Sequence, residues 1–243
     1  MITVHHLSSS RSERIVWLLE ELGAPYRMEW FQREATGAAP PAMKALHALG
    51  KSPVITDGET VLAESGAIVE YIVRRYGRGA LVPPGDSPQF TRYLYWMHFA
   101  EGSLMSLMLI ALVLSRVPEA KESAVRGRIL TRMANMLAYV DGEIAGKDYF
   151  AGEFSAADVM MVFPFTTMRR YLDYDIAPYA NIGKISRTDR GAARVPARDG
   201  ARGSRREALI TWEARPAPCR ARPWGLGLAP PWEVPPAPPC PAT

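Results

Sequence analysis

The hydrophobic residues follow two different spacings, and the change between them divides the chain. Up to about residue 76, short apolar runs alternate with segments whose apolar residues recur at helical spacing, a mixture typical of strands and amphipathic helices. Residues 77–88 contain Gly, Asp and three Pro, which indicate a linker. From residue 89 to residue 184 helical spacing dominates. We therefore predict an α/β domain at 1–76 and an all-α domain at 89–184.

The predicted elements of the first domain are a strand, a helix, a strand, a helix, two strands and a helix. In chain order they lie near residues 2–7, 15–22, 26–31, 43–49, 53–55, 61–63 and 65–76. This order is that of a thioredoxin-like domain. The fold class predicted from the sequence is therefore a thioredoxin-like α/β domain followed by an all-helical domain.

Residues 49–76 contain a strand, a tight turn at Asp57-Gly58, a second strand and a helix that we expect to begin at Ser65. Ser is a favoured N-cap residue, and the first turn of a helix carries free backbone N–H groups and a partial positive charge. We therefore expect a small carboxylate to bind beside Ser65.

Pro53 opens the first of these strands, although Pro cannot donate a hydrogen bond to a neighbouring strand. A cis bond between Ser52 and Pro53 would explain its position, because a cis bond turns the backbone sharply. We expect this turn to leave the backbone N–H and C=O of Val54 free to pair with an extended peptide, as in edge-strand pairing.

The combination of Ser-Pro-Val-Ile, a hairpin turn and Ala-Glu-Ser-Gly-Ala-Ile, in this order, resembles the glutathione-binding half of cytosolic glutathione transferases. In that family a cis-Pro strand and a Glu-Ser pair at a helix start hold the tripeptide. The resemblance covers residues 1 to about 184. It implies glutathione contacts at Val54, Glu64 and Ser65, and at Lys51, which would pair with the glycine carboxylate.

The resemblance also implies a hydroxyl group that helps the glutathione thiol to ionise, since an ordinary thiol has a pKa of about 8.5. The segment HHLSSSRSER contains no Tyr and no Cys, so the chain resembles the Ser-type, bacterial-like members. Register with those members places the hydroxyl at Ser10, with Ser9 and Ser12 one slip away and His6 as an assisting group. Arg11 would add positive potential at the sulfur.

The second domain contributes one predicted site residue and one predicted structural motif. Glu101 lies on the first long helix, and the resemblance implies that an acid there can reach the glutathione amine in dimeric members. Ser155 and Asp158 have the form of a capping box, with Asp in place of the usual Glu. We expect this box to head a buried helix and to act structurally.

Charge, apolar runs and cysteines exclude several other classes of protein. The net charge of +4 arises in residues 184–243, which carry +6, while residues 1–183 carry −2, so no nucleic-acid surface is predicted. The apolar run at 104–114 is too short to span a bilayer. With no secretory signal evident, we expect a cytoplasmic protein. Cys219 and Cys240 lack metal-ligand spacing, and we expect no metal and no cofactor.

Residues 185–243 differ from the rest of the chain in amino-acid composition. Residues 184–243 hold eleven of the 21 Pro and ten Arg with little apolar periodicity, which predicts disorder. The family that the chain resembles closes here with a helix ending in a run like ARIEARPAYRRA. One choice of synonymous codons from Ile185 onward, read one base later, encodes SRARIEARPAYRRAMARG. We therefore predict that residues 185–243 are an out-of-frame translation.

The resemblance implies an enzyme, a glutathione transferase acting in detoxification. Its glutathione thiolate would attack small apolar electrophiles or reduce peroxides, with glutathione as co-substrate. The resemblance also implies a homodimer. The alternative is a non-catalytic protein of the same fold that binds ligands or other proteins. The Ser10 loop together with Glu64 and Ser65 favours the enzyme.

Overall fold

The computed structural model describes residues 1–187 and residues 208–209. The first half is a mixed sheet with three helices. The strands are β1 (Ile2–Leu7), β2 (Tyr26–Phe31), β3 (Val54–Asp57), β4 (Thr60–Ala63) and β5 (Ala208–Leu209). The helices of this half are α1 (Ser12–Leu22), α2 (Ala42–Leu46) and α3 (Ser65–Tyr76).

The strand order across the sheet is β4-β3-β1-β2-β5. β1 runs parallel to β2 and antiparallel to β3, and β3 and β4 form the predicted hairpin. The β1-α1-β2 unit followed by an antiparallel hairpin and a helix is the thioredoxin-like arrangement. The fold class predicted for this half is therefore confirmed.

The core of this half forms between the sheet and the apolar faces of α1 and α3. Ile15, Leu18 and Leu19 on α1, and Ile68 and Ile72 on α3, are fully buried. Their spacing of three or four residues places them on one face of each helix. Each fully buried side chain of this kind contributes about 1.5–3 kcal/mol to folding, so these faces fix both helices on the sheet.

The second half is all-helical, as predicted. Its helices are α4 (Pro88–Phe99), α5 (Ser106–Ser115), α6 (Ala124–Glu143), α7 (Ala156–Phe165) and α8 (Ala180–Arg187). A π-helical turn at Ala100–Met105 joins α4 to α5. Helix α7 is buried along its whole length and contacts α1 and α3 of the first half. It therefore joins the two halves.

The apolar run at 104–114 belongs to the first long helix of the second half. The continuous helical segment Pro88–Ser115 has 28 residues and a mean hydropathy of 1.7, enough by length and composition to cross a membrane. However, Trp96, Leu104 and Met108 on this segment are buried in the protein core. A core helix of a soluble protein has the same length and composition.

The predicted capping box at the start of α7 is present. The Asp158 carboxylate accepts hydrogen bonds from the Ser155 backbone N–H at 2.9 Å and its hydroxyl at 3.0 Å, and from the Phe150 backbone N–H at 2.9 Å. Burial raises the pKa of Asp158 to about 6, against the lowering effect of these hydrogen bonds. The box therefore satisfies buried donors of both α7 and the preceding turn.

The prediction that an irregular tail begins at residue 185 was wrong at its boundary. Helix α8 continues to Arg187 because Ile182 and Ile185 lie on one helix face and are both buried. Ala208 and Leu209 form β5 and pair with β2. The remaining residues of the predicted disordered, out-of-frame segment lie outside the described residues.

Candidate active site

A cavity of about 580 Å³ lies where the two halves of the chain meet. On one side its wall is formed by the loop before α1, the segment 47–53 and the start of α3. On the other side it is formed by the π-helical turn, α5, α7 and residues 168 and 171. The cavity is polar towards the sheet and apolar towards the helices.

The structure brings most of the sequence-predicted site residues to this cavity. Those that line it are Ser10, Arg11, Lys51, Glu64, Ser65 and Glu101, together with the alternative Ser9 and the structural residue Pro53. The bond between Ser52 and Pro53 is cis, as predicted. Ser52, which sequence reasoning did not assign to the site, also lines the cavity.

Val54 does not have the predicted edge-strand position. Strand β3 lies between β1 and β4, and Val54 has His5 and Ala63 as its register partners. Val54 is fully buried and is not among the described residues that line the cavity. Strand β3 is therefore not an edge strand, because the sequence shows where a strand begins but not which strands flank it. The glutathione contact at Val54 stays a prediction, and Ser52 and Pro53, which precede it, line the cavity.

Ser65 is the first residue of α3 and not its N-cap, which corrects the expected capping role. The N-cap position is Glu64, whose φ of 72° and ψ of 120° turn the chain sharply out of β4, and no side chain caps the helix. The first helical bond runs from the Ile68 N–H to the Glu64 carbonyl. The N–H groups before Ile68 therefore lack intrahelical partners, which makes this helix end suitable for an anion.

Glu64 is one of the non-Gly residues with positive φ at the cavity. Such conformations cost on the order of 1–3 kcal/mol and persist where the surrounding structure fixes them. Here the strained residue places the Ser65 side chain, which is 3% exposed, at the cavity wall.

Ser10 is part of a chain of hydrogen-bonding side chains. Its Oγ lies 2.8 Å from the Ser12 Oγ and 2.9 Å from the Ser52 Oγ, and it accepts from the Ser12 N–H at 3.2 Å. The Ser12 Oγ lies in turn 2.9 Å from the His6 Nδ1. Three of the four groups weighed from the sequence thus belong to one network, with Ser10 nearest the cavity.

His6 is neutral at physiological pH in this structure. Burial lowers its pKa to about 4, and the side chain is 1% exposed. Its ring meets the Trp30 ring edge-on, with 4.7 Å between centroids. His6 does not line the cavity, so it contacts a bound thiol only through Ser12 and Ser10.

The backbone of the Ser10 loop is fixed by two residues that the sequence did not reveal. The Ser9 carbonyl accepts from the Tyr171 hydroxyl at 2.6 Å and from the Arg33 Nη2 at 3.3 Å. Arg33 also donates from Nε to the Ser8 carbonyl at 3.1 Å. Ser9 itself has a φ of 50°. No local pattern marks Arg33 or Tyr171, because each contact depends on residues distant in sequence.

Glu101 is held by two arginines. Arg11 Nε lies 3.1 Å and 3.0 Å from its two carboxylate oxygens, and Arg14 Nη1 donates to Oε1. Burial would raise the pKa of Glu101, but the charges and hydrogen bonds of Arg14 and Arg11 outweigh it and keep the pKa below its ordinary value. Arg14, fully buried, was missed by sequence reasoning because it lies on the apolar side of α1.

These ion pairs change the expected role of Glu101. Its charge is already opposed by two cations, so an additional amine binds there less strongly than at an unpaired carboxylate. The three side chains instead tie the start of α1 to the π-helical turn across the cavity floor. Lys51, by contrast, is exposed at the rim and forms no ion pair within the described part of the chain.

The helical side of the cavity supplies an apolar surface. Met105, Leu109 and Leu112 follow one another at intervals of three and four residues and face the cavity together with Phe163 and Met168. Met105 is 1% exposed and still contributes to the wall.

Comparison with known proteins identifies the family to which the chain is similar. The profile of the family "Glutathione S-transferase, N-terminal domain" matches residues 1–74. Glutathione S-transferase 3 of Schizosaccharomyces pombe is 39% identical over 213 residues, which cover 81% of this chain and 87% of the relative. Glutathione S-transferase 1 of Saccharomyces cerevisiae is 30% identical over 185 residues, covering 68% and 79%.

Solved structures show the same fold. A glutathione S-transferase from Actinobacillus pleuropneumoniae is 34% identical, with a TM-score of 0.69 over 76% of this chain and 85% of that one. A sphingomonad glutathione S-transferase solved with glutathione has a TM-score of 0.61 and 24% identity, over 76% and 90%. The fold and cavity define a thioredoxin-like enzyme with a helical second half. The chain belongs to the glutathione transferase family.

Proposed function

We propose that this glutathione transferase joins the glutathione thiolate to small apolar electrophiles in the cavity between its two halves. The observation that carries the proposal is the position of Ser10. Its hydroxyl lies in the same cavity as the N–H groups of α3 and faces an apolar wall on α5 and α7. In the reaction the sulfur forms a bond to the electrophilic carbon, and a leaving group departs or a proton is added.

The polar side of the cavity suits glutathione. At neutral pH glutathione carries two carboxylates and one ammonium group, and the thiolate adds a further negative charge. Ser65 and the N-terminus of α3 form the proposed site for one carboxylate, and Lys51 is the proposed partner of the glycine carboxylate. Glu64 is the proposed partner of the amine, since it lines the same wall.

Ser10 is the residue proposed to stabilise the glutathione thiolate. A hydroxyl donor and a nearby positive charge stabilise an anionic sulfur and lower the pKa of the thiol. Arg11 lies on the cavity wall beside Ser10, although its guanidinium is shared with Glu101. The expected result is a larger thiolate fraction at neutral pH than in free glutathione.

The assembly and location follow from the same proposal. We expect a cytoplasmic protein because the chain resembles cytosolic members of the family. We expect a homodimer because Leu94 and Tyr95 on α4 and Tyr139 on α6 are large side chains that are 37–45% exposed. Tyr95 and Tyr139 are hydrogen-bonded to each other, which holds this surface in one arrangement. Light scattering after gel filtration would measure the mass, and a monomer at all concentrations would contradict this part.

The function is tested in two steps. The protein is first passed over immobilised glutathione, and the retained protein is then assayed for thiol conjugation with a panel of neutral aromatic and unsaturated electrophiles. Retention with turnover supports the proposal. Retention without turnover on any electrophile would instead support the alternative, a non-catalytic protein of this fold that binds glutathione or another ligand.

A further inference from the structure

Four polar side chains form a continuous path from the cavity into the sheet. The path runs from Ser52 to Ser10, Ser12 and His6, with successive distances of 2.9, 2.8 and 2.9 Å. Ser12 and His6 are buried, at 0% and 1% exposed. Neither lines the cavity, so the catalytic role proposed for Ser10 does not by itself explain them.

The direction of hydrogen-bond donation along this path decides whether Ser10 can donate its proton to the sulfur. A Ser hydroxyl has one proton to donate. If Ser10 donates its proton to sulfur, its contacts with Ser12 and Ser52 are hydrogen bonds only if both of those hydroxyls donate to the Ser10 Oγ. Ser12 has then used its only proton, and its contact with His6 is a hydrogen bond only if His6 carries a proton on Nδ1.

The opposite direction of donation would prevent Ser10 from donating to the sulfur. If the His6 Nδ1 lacked a proton, Ser12 would donate to His6 and would accept from Ser10. The Ser10 proton would then point into the protein and away from the cavity. The other acceptor near Ser12, the Leu7 carbonyl, lies at 3.4 Å, which is long for an O–H···O bond and competes weakly.

We infer that His6 and Ser12 are positioning residues, with His6 donating from Nδ1 to Ser12 and Ser12 donating to Ser10, so that the Ser10 proton points at the sulfur. This inference rests on the proposed role of Ser10 in the thiol reaction. It assigns a function to a buried histidine and a buried serine that touch neither substrate. With an anionic sulfur in the cavity, this direction leaves the Ser10 proton free to be donated to the sulfur, whereas the opposite direction does not.

The test compares His6→Leu, His6→Asn and Ser12→Ala with the parent. The pKa of enzyme-bound glutathione is read from thiolate absorbance during a pH titration, and kcat and KM are measured alongside. We expect His6→Leu and Ser12→Ala each to raise this pKa by about one unit and to lower kcat about tenfold at neutral pH. KM for glutathione should change less than about twofold, since the tripeptide contacts are intact.

His6→Asn is the conservative rescue, because its amide N–H lies near the position of Nδ1 and can donate to Ser12. In His6→Asn the thiol pKa and kcat should lie close to the parent values, whereas in His6→Leu they should not. The double variant of His6→Leu with Ser12→Ala should be no worse than either single variant, because both break the same path. Ser8→Ala is the matched control, a serine of the same loop that does not line the cavity.

All these variants keep the same charged side chains along the cavity wall, namely Arg11, Arg33, Lys51, Glu64, Glu101 and Arg116. The inference is overturned if His6→Leu and Ser12→Ala lower only the unfolding temperature and leave the thiol pKa as in Ser8→Ala. It is also overturned if His6→Asn behaves like His6→Leu. If His6→Leu does not fold, the thiol pKa of Ser12→Ala alone tests the inference.

Failure of the underlying proposal gives a different result. If Ser10→Ala leaves the thiol pKa unchanged, the role of Ser10 is wrong, and the inference falls with it. If Ser10→Ala raises the thiol pKa and the two positioning variants do not, the role of Ser10 stands and the inference alone is overturned.

Discussion

At the scale of single residues, the groups proposed to bind glutathione differ from the group proposed to act on its sulfur. Ser65 lies at the free N-terminus of α3, where a carboxylate gains from N–H groups and from the helix dipole. Ser10 lies at the end of a hydroxyl network that faces the cavity. Substitutions at the two positions should therefore affect different kinetic constants.

Ser65→Ala should weaken glutathione binding more than it weakens the fold. Loss of a hydrogen bond to a charged carboxylate costs on the order of 1.5–3 kcal/mol, which is about a 10- to 150-fold rise in Kd. Calorimetric titration with glutathione measures this, with thermal unfolding as the check on stability. Ser87→Ala, at the start of α4 and away from the cavity, is the control. Unchanged affinity would place the carboxylate site elsewhere.

Ser10→Ala should lower kcat more than it raises KM for glutathione. The hydroxyl acts on the sulfur, and the binding contacts of the tripeptide remain. Without this donor the pKa of the bound thiol rises, so the increase of rate with pH moves to higher pH. The pH–rate profile is the decisive measurement. An unchanged rate and profile would mean that Ser10 does not act on the sulfur, and would leave Ser9 as the sequence alternative that lines the cavity.

The sequence predicted the residues whose role depends on local pattern, and it missed those whose role depends on distant contacts. Ser65 follows from the turn that precedes a helix, and Ser10 from the loop after a strand. Arg14 was missed because its partner Glu101 lies 87 residues away. Tyr171 was missed for the same reason, since Ser9 lies 162 residues before it.

At the scale of elements, periodicity was sufficient to predict the helices and strands but not their neighbours. The alternation of short strands and amphipathic helices gave the order of β1 to α3, which the structure confirms. It could not show that β3 is flanked on both sides and is therefore not an edge strand. Sheet order arises from long-range packing, and a single sequence holds no local signal for it.

The capping box of α7 is the element-level feature with the clearest effect on stability. Asp158→Ala leaves the N–H groups of Phe150 and Ser155 without their carboxylate partner, which should cost about 2–3 kcal/mol of the free energy of unfolding. Urea denaturation of the parent and the variant measures the loss. A difference below about 0.5 kcal/mol would mean that another group replaces the carboxylate.

The same substitution should show a defined pH dependence. Burial raises the pKa of Asp158 from 3.8 to about 6, so the folded state binds the proton more tightly than the unfolded state. The stabilisation from this group is therefore fully present below about pH 4 and decreases as the pH rises through about 6. The stability difference between parent and Asp158→Ala should be larger at pH 4.5 than at pH 7. A constant difference would show that the buried carboxyl does not titrate in this range.

At the scale of the whole molecule, the two halves depend on each other for the site. The first half supplies the polar wall and the second half supplies the apolar wall. Arg11 and Arg14 on one side are joined to Glu101 on the other. Helix α7 packs against α1 and α3 and holds the two walls at a fixed separation.

The composition of the last 60 residues leads to a prediction about the gene. We expect resequencing to show an inserted or deleted base near the codon of Lys184, and the corrected frame to encode a terminal helix. A protein with the corrected frame should be more soluble, because that helix would cover apolar surface of the all-α half. An unbroken reading with different codons across residues 184–203 would refute the prediction.

The hydrogen bond from Tyr171 to the Ser9 carbonyl also has a consequence for the order in which the protein is made. Ser65 and the N-terminus of α3 leave the ribosome more than 100 residues before Tyr171. A nascent chain that has not reached residue 171 already contains the proposed carboxylate site, but the loop that carries Ser10 lacks the 2.6 Å bond that holds it. During synthesis the proposed carboxylate site is therefore made before the contact that fixes the Ser10 loop.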